Sequence, residues 1–248
     1  MKNYSRSVSS AAGTLIFSAA VFSSTAAEAP AAPTDAWETS AAAGLTLTRG
    51  NSDTLLFNAN LWSQKKWERN ELSFGVDASY GENNSIKNTE SLHGFGQYNR
   101  LFTDRCYGYA RLDGLHDSIA DVEYRVTLSA GGGYYFIKND TTRLSAEAGP
   151  GIVFEKQGGR SHEYLVLRVA ERFEHKLNDR ARIWQSAEYL PQVDNFNNYI
   201  LNGEIGVEAG LTSKLSLRSY LQDTYDNEPA PGRKQNDLKL VAGIAYKF

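Results

Sequence analysis

The sequence predicts an all-β protein, a transmembrane antiparallel up-and-down β-barrel of about twelve strands, with ten or fourteen strands as the alternatives. Three observations predict this fold. Apolar residues alternate with small or polar residues along most of the chain. No run of about 18 apolar residues is present, which excludes a bundle of transmembrane helices. The chain also begins with a segment typical of exported proteins and ends on an aromatic residue, Phe248.

The first 27 residues predict a cleaved secretory signal peptide (1–27). Lys2 and Arg6 precede an apolar stretch at 11–22, and small residues follow at 23–27, the order of parts in such a signal. An N-terminal membrane anchor is the alternative, but the apolar stretch is too short to span a bilayer. Residues 28–36, rich in Ala and Pro, predict a flexible lead-in. Residues 37–248 then form the predicted outer-membrane β-barrel domain.

A two-residue period defines the strands. In the third of them, every even position from Leu72 to Tyr80 is apolar and every odd position is small or polar. The segments 89–101 and 181–192 fit least well, because Phe95 lies on the wrong face relative to its apolar neighbours and Pro191 marks a strand end. In chain order, the predicted strands are 37–48, 54–66, 71–82, 89–101, 106–117, 122–137, 142–156, 162–177, 181–192, 198–211, 215–226 and 237–248.

The connections between these strands predict an orientation. Tight turns with Asn, Asp or Ser chemistry are predicted at 67–70, 102–105, 138–141, 178–180 and 212–214, and longer connections at 83–88, 157–161, 193–197 and 227–236. In outer-membrane barrels the short turns are periplasmic and the longer loops extracellular. We therefore expect the outer membrane of a Gram-negative bacterium, with the N- and C-termini in the periplasm.

A soluble β-sandwich or filled barrel shows the same alternation and is the alternative architecture. The face opposite the apolar one, however, carries glycine and charges of both signs in strand after strand, which suits a polar lumen better than a packed core. Aromatic residues also cluster near strand ends, as in an interfacial girdle. These residues are Trp37, Trp62, Trp67, Tyr80, Tyr134, Phe136, Phe154, Tyr246 and Phe248.

Composition narrows the function classes. The chain of 248 residues has 26 Lys and Arg against 29 Asp and Glu, so the balance is too even for a nucleic-acid-coating protein. With one cysteine, Cys106, the chain has no disulfide scaffold. We expect no nucleic-acid partner, and the sequence gives no oligomeric state.

The informative group of residues is the set of charges predicted to face the lumen. Glu147, Arg168, Glu204, Glu208 and Arg218 are the candidate lumen charges. Further members of this set are Asp77, Arg111, Asp113, Arg125, Arg143, Glu155, Arg172, Glu174 and Lys239. Mixed signs indicate either cross-strand ion pairs that fill a narrow interior or a hydrated pore lined by both signs.

One charge, Glu171, has outward parity beside Leu167, Val169 and Phe173. A charge that faces lipid is penalised, so we expect either a bulge that shifts the register there or a position of Glu171 at headgroup level.

The sequence holds little that predicts chemistry. None of the four histidines, His93, His116, His162 and His175, has a partner at a recurring metal-ligand spacing. Ser91 with His93, or His116 with Asp117, could form a constellation at the outer rim, but an ordinary polar rim is the simpler interpretation. We therefore expect no catalytic residues, no metal and no cofactor.

The end of the chain resembles the assembly signal of outer-membrane proteins, through Ile244, Tyr246 and Phe248. This resemblance implies insertion by the barrel-assembly machinery. The run Gly44 to Thr54, with Gly50-Asn51-Ser52 at its centre, resembles the opening of the YdiY-like family of salt-induced outer-membrane proteins. Lys65-Lys66-Trp67 and the segment at 147–151 resemble that family's later landmarks. The family is itself a domain of unknown function, so the resemblance implies a fold and a location.

The leading functional hypothesis is an integral outer-membrane β-barrel protein without catalytic chemistry, either a narrow, porin-like channel or a structural envelope component linked to salt or osmotic stress. A rim-sited barrel hydrolase is one alternative. A surface-binding barrel is the other, in which the loop at 227–236, with Arg233 and Lys234, meets outer-membrane lipid and lipopolysaccharide.

Overall fold

The computed structural model describes residues 36–48 and 54–248. In this part of the chain, twelve antiparallel strands close into one barrel in simple up-and-down order. This confirms the predicted fold class and strand number. The strands are β1 (Trp37–Thr48), β2 (Thr54–Trp67), β3 (Asn70–Asn83), β4 (Ile86–Leu101), β5 (Cys106–Asp117), β6 (Val122–Lys138), β7 (Thr142–Gln157), β8 (Arg160–Asn178), β9 (Ala181–Pro191), β10 (Tyr199–Gly210), β11 (Leu215–Asp226) and β12 (Asn236–Lys247).

Two predicted features lie outside the described residues. The signal peptide at 1–27 and most of the lead-in fall there, and so does the connection at 49–53, which holds part of the motif that resembles the YdiY-like opening.

No helix in the described ranges is long and apolar enough to cross a membrane.

The two ends of the barrel differ in their connections. We call the end that carries the start of β1 and the end of β12 the turn end, and the opposite end the loop end. Connections at the turn end have two to four residues, and two of those at the loop end, 192–198 and 227–235, are longer. The predicted longer connections at 83–88 and 157–161 are wrong, because the strands continue to two-residue turns at 84–85 and 158–159. All four of these turn residues have positive φ, which matches a tight hairpin turn.

The outer face of the barrel is apolar. Leu61, Val76 and Ile244 point outward and are 40%, 42% and 55% exposed, and the residues paired with them on neighbouring strands share that face. A closed sheet has no free edge, and an apolar exterior of this kind is stable in lipid. The alternation in the sequence therefore points its apolar side outward, which excludes the soluble alternative with a packed apolar core.

Aromatic side chains form pairs on this exterior near both ends. At the turn end Trp37 packs on Phe74 with ring centroids 5.6 Å apart, and Tyr246 packs on Phe248 at 5.0 Å. At the loop end Tyr199 lies between Tyr189 and Tyr225. Such belts mark membrane interfaces. Trp62 is the exception among the predicted girdle residues: it pairs with Gly75 on the inner face.

Glu171 faces outward without a register shift, since the β7–β8 pairing is continuous through Ala146 and Glu171. Of the two alternatives predicted for Glu171, the bulge is therefore wrong, and the position at headgroup level stays a prediction. The Gln185 side-chain amide donates a hydrogen bond to the Glu171 carboxylate from the neighbouring strand β9. This outward charge therefore has a polar partner.

Candidate functional site: an ion-paired barrel interior

The register of the strands defines the inner face. Residues that pair across adjacent strands point to the same side of a sheet, and rows such as Glu204 with Ser186 and Gln222, or Glu208 with Arg182 and Arg218, line the interior. All five candidate lumen charges, Glu147, Arg168, Glu204, Glu208 and Arg218, lie on this face. Phe95 also faces inward, where the Arg111 guanidinium lies 4.4 Å from its ring centroid. Phe95 therefore does lie on the face opposite to its apolar neighbours, as its position in the sequence indicates.

Arg168 and Glu147 form the centre of the interior. The Arg168 guanidinium donates to Glu147 at 2.7 Å on β7 and to Glu188 at 2.6 Å on β9. The Tyr109 ring covers it at 5.1 Å. Arg168 is only 4% exposed. Because a buried guanidinium needs a full set of acceptors, these two carboxylates compensate its loss of hydration.

Glu147 extends this centre across the lumen. Its Oε1 accepts a hydrogen bond from Gln97 on β4 at 2.7 Å and one from the Tyr107 hydroxyl on β5 at 2.9 Å. Strands β4 and β7 are three places apart in the barrel. The contacts therefore pass through the space that an open pore would leave to water.

Two further contacts cross the lumen at the loop end, and we call them the loop-end bridges. Arg125 on β6 donates to Glu155 on β7 at 2.6 Å and to Asp226 on β11 at 2.8 Å. Lys239 on β12 donates to Ser91 on β4 at 3.0 Å and lies 3.6 Å from Asp117 on β5. The contacts of Arg125 with Asp226 and of Lys239 with Asp117 join strands five places apart, and the contact of Lys239 with Ser91 joins strands four places apart. Opposite walls of the barrel are thus tied together here.

Arg218 forms a third network with the strands at the closure of the barrel. It contacts Glu208 at 2.9 Å, the Asn60 side-chain oxygen at 3.0 Å and the Ser40 hydroxyl at 3.1 Å. Asn60 in turn donates to Asp77 at 2.6 Å. This arginine therefore links β10 and β11 to β1, β2 and β3.

Glu204 completes the five candidates. It accepts hydrogen bonds from the Trp184 indole at 2.5 Å and from Gln222 at 2.9 Å. The indole occupies space left by Gly206, where an added Cβ would lie 2.1 Å from a ring carbon. The glycine on β10 thus lets a large aromatic ring enter a narrow interior.

Several interior residues were not among the candidates. Arg182 contacts Glu174 at 3.2 Å and Glu208 at 2.9 Å, Glu188 holds Arg168, and Asp226 holds Arg125. The even-numbered residues of β9, Arg182 and Glu188 among them, point into the lumen. Trp184 is also one of these residues, and its apolar ring interrupts the polar pattern of that face. Asp226 has the same inward parity as Arg218 on β11, so the alternation of the sequence could have found it.

Two small spaces lie beside these networks. A cavity of about 80 Å³ lies at the loop end against Arg125, Asp226 and Lys239, below the connection at 227–235. A second space of about 10 Å³ adjoins Arg218 and Tyr220. Each is on the scale of a few water molecules or fewer.

The two constellations considered for hydrolysis are not assembled. His93 faces the lumen, 3.7 Å from each of Asp77 and Asp113, while Ser91 accepts its hydrogen bond from Lys239. His93 and His116 do not approach each other, since they lie on opposite faces of the wall.

His116 has a serine neighbour, but the arrangement does not activate it. The Ser118 hydroxyl donates to Glu90 at 2.5 Å, and its oxygen lies 3.2 Å from His116 Nε2. Asp117 accepts from the backbone amides of Ile119 and Ala120 and does not orient the histidine. A general base must take the serine proton, and here that proton points to Glu90. Within the described ranges, no group of three potential ligands could hold a metal ion.

The C-terminal candidates lie on the outer face. Ile244, Tyr246 and Phe248 are all exposed, and the backbone amide of Phe248 donates to Thr39 on β1 at 3.1 Å. The last residue of the chain thus joins the seam at which the barrel closes.

A closed antiparallel barrel with an apolar exterior and a polar interior defines the class, a transmembrane β-barrel of the outer-membrane type. The chain belongs to the family of proteins of unknown function DUF481, whose model matches residues 41–248. It is 22% identical over 221 residues to the uncharacterized protein YdiY of Escherichia coli K12, which covers 88% of this chain and 86% of that protein. These matches confirm the resemblance to the YdiY-like family.

Three solved structures are similar to this chain at low sequence identity. The NanC porin has 7% identity and a TM-score of 0.48, with 85% of this chain and 96% of the porin covered. The KdgM porin has 9% identity and a TM-score of 0.45, with 86% and 99% covered. The translocator domain of the autotransporter NalP from Neisseria meningitidis has 17% identity and a TM-score of 0.45, with 86% and 87% covered.

Proposed function

We propose that this protein is a non-catalytic barrel of the Gram-negative outer membrane and acts as a narrow channel whose resting state is closed. In this proposal both termini are periplasmic, so the loop end faces the outside of the cell. One observation carries the proposal: hydrogen-bonded charges cross the lumen at its centre and again at the loop end.

The chemistry of these bridges suits a closed gate. Each crossing contact joins charged or polar groups that water could hydrate separately, so the groups remain soluble when the contact breaks. A plug of apolar residues would offer no such hydrated path. The same pairs hold opposite walls together while the lumen is closed.

Conductance across a planar bilayer tests the proposal. In the triple variant Glu147→Ala, Asp226→Ala and Lys239→Ala the central contacts of Glu147 and both loop-end bridges are lost, while Arg168 keeps Glu188 and Arg125 keeps Glu155 as partners. We expect a nearly silent wild type and discrete conductance steps for the variant. A matched control, Asp140→Ala with Asp179→Ala and Arg160→Ala, removes two acids and one base at exposed positions and should stay silent.

Other results would contradict parts of this proposal. Large, steady conductance of the wild type would contradict the closed interior. Silent traces for both the variant and the control would contradict the channel and favour a structural envelope component. We propose that either role serves the cell under salt or osmotic stress. A deletion strain that grows at high salt as well as its parent would count against this part of the proposal.

A surface-binding role is the second candidate, and one observation favours it. The connection at 227–235 is fixed by hydrogen bonds from Asn195 to Glu228 and from Asn227 to the Asn197 carbonyl, yet Arg233 and Lys234 remain exposed. An ordered basic loop could bind anionic lipopolysaccharide. Replacing Arg233 and Lys234 with Gln should then weaken binding to lipopolysaccharide vesicles, and unchanged binding would exclude this loop.

We further propose the barrel-assembly machinery as the partner during insertion, through the exposed Ile244, Tyr246 and Phe248. Truncation of Phe248 should slow insertion into membranes that contain that machinery. It should leave spontaneous refolding in detergent intact, and equal slowing in both settings would argue for a merely structural role.

A further inference from the structure

Cationic side chains converge on the lumen at the turn end. Lys66 on β2, Lys138 on β6, Arg143 on β7 and Arg172 on β8 all have inward parity there. Lys66 and Arg143 come from strands five places apart, and Lys138 lies directly across from Arg143 in the β6–β7 register. We call this group the basic vestibule.

The nearby carboxylates on the inner face are fewer than the four cations of the basic vestibule, and two of them have other partners. Glu71 accepts hydrogen bonds from Tyr135 at 2.7 Å and from Asn99 at 3.3 Å, and Lys138 is 3.9 Å away. Glu174 is held by Arg182 at 3.2 Å. In the part of the chain that the structure describes, Lys66, Arg143 and Arg172 have no carboxylate within 4 Å. Glu38 is a third carboxylate on the inner face at this end, on β1.

Exposure separates these arginines from the others in the same lumen. Arg125, Arg168 and Arg218 are at most 8% exposed, and each has at least one close carboxylate partner. Arg143 and Arg172 are exposed. The interior therefore contains paired arginines that close it and unpaired arginines that water reaches.

Two aromatic rings separate the vestibule from the closed centre. Tyr107 and Tyr135 pack with centroids 4.9 Å apart, and their hydroxyls donate in opposite directions, to Glu147 at the centre and to Glu71 at the turn end. Gly133 makes room for the Tyr107 ring, since a Cβ there would lie 2.2 Å from it. The two rings thus lie between Glu147 at the centre and Glu71 at the turn end.

We propose that the basic vestibule is a binding site for a small oxyanion with two or more negative charges, a phosphate or a polycarboxylate, that enters from the turn end. Guanidinium groups bind both kinds of oxyanion through paired hydrogen bonds, and a bound anion would relieve the repulsion among the cations. The site does not depend on conduction, because it lies on one side of the closed centre.

Anion-dependent stability of the refolded protein in detergent micelles tests the site. The temperature of the heat-dependent gel shift is followed during titration with inorganic phosphate or with citrate, and NaCl keeps the ionic strength constant. A ligand that binds only the folded state raises this temperature saturably. A tighter response to phosphate than to citrate assigns the site to phosphates, and the reverse assigns it to polycarboxylates.

The double variant Arg143→Gln and Arg172→Gln should raise the half-saturating anion concentration about tenfold or more, since each guanidinium supplies charge-assisted hydrogen bonds. The control Arg105→Gln with Arg160→Gln removes two other exposed arginines and should respond like the wild type. Arg172→Gln alone, which breaks no hydrogen bond of the described structure, provides a variant that folds if the double variant does not. An anion response that is absent from the wild type, or equal in all variants, would overturn the proposal.

Discussion

Arginine has two distinct uses inside this barrel, and its surroundings decide which one applies. Arg168 lies between two carboxylates and under the ring of Tyr109, so it is buried and compensated. Arg172 lies four residues further along the same strand and on the same inner face. It is exposed and has no such partner among the described residues. The first kind of arginine closes the lumen, and the second kind leaves charge available for a ligand.

Replacement of Arg168 by Gln should destabilise the barrel strongly. The change leaves Glu147 and Glu188 without their shared cation in a buried site, and loss of one partner of a buried ion pair costs about 3–5 kcal/mol. Urea unfolding in lipid vesicles measures the difference. Arg160→Gln, at an exposed turn position, should change the free energy of unfolding by less than about 0.5 kcal/mol. A loss for Arg168→Gln as small as that of the control would refute the compensated centre.

The sequence predicts which face each of these residues occupies but not its partners. Alternation places Glu147, Arg168, Glu204, Glu208 and Arg218 on the inner face because the side-chain period of a strand is two. The contact between Arg125 and Asp226 joins residues 101 positions apart. It depends on the shape of the closed barrel, and no local pattern encodes that shape.

At the scale of elements, the seam between β1 and β12 is the shortest contact of the barrel. Among the described residues it aligns four residue pairs, from Ser40 with Lys247 to Ala43 with Ile244, whereas every other neighbouring pair of strands aligns nine or more. Gly44 and Gly243 bring the two backbones close beyond the last pair. A Cβ on Gly44 would lie 2.4 Å from the Ala242 carbonyl oxygen.

Gly44→Ala should therefore weaken the closure of the barrel. The new methyl group meets backbone rather than a flexible side chain, and overpacking of this kind costs about 1–3 kcal/mol. The temperature of the heat-dependent gel shift should fall. Gly114→Ala is the matched control, because a Cβ there has no heavy atom within 4 Å. Equal behaviour of the two variants would show that the seam tolerates expansion.

Element boundaries were predicted best where alternation ends in turn chemistry. β1, β5 and β11 begin and end where the pattern predicts. The segments at 83–88 and 157–161 were predicted to be loops because they are rich in Asn, Ser and Gly, but their strands extend to two-residue turns. Tight turns need such residues for positive φ, so the same composition is typical of both a loop and a hairpin.

The whole molecule combines an apolar exterior with an interior of opposite charges. The exterior requires lipid, and the interior satisfies its charges internally, so neither surface needs bulk water along the middle of the barrel. Composition and alternation predicted both faces. They left open whether the interior is a pore or a set of ion pairs, since both use the same residues.

The destabilisation caused by a lysine on the outer face should depend on its depth in the membrane. Val76 lies in the middle of β3, between its ends at Asn70 and Asn83, and Leu238 lies near the loop end of β12. Val76→Lys should destabilise the folded barrel in vesicles by about 2–4 kcal/mol and Leu238→Lys by about 0–1 kcal/mol. Similar, small effects at both positions would indicate that this face does not contact the membrane core.

The central claim is that charges tie opposite walls of the barrel together, and a double-mutant cycle on Arg125 and Asp226 tests it most directly. The free energy of unfolding is measured for Arg125→Gln, Asp226→Asn and the double variant. The two side chains are in contact at 2.8 Å. The sum of the two single effects should therefore differ from the effect of the double variant by about 0.5–3 kcal/mol. Effects that add to within about 0.3 kcal/mol would place the two residues apart, on the walls of an open lumen, and would contradict the closed interior.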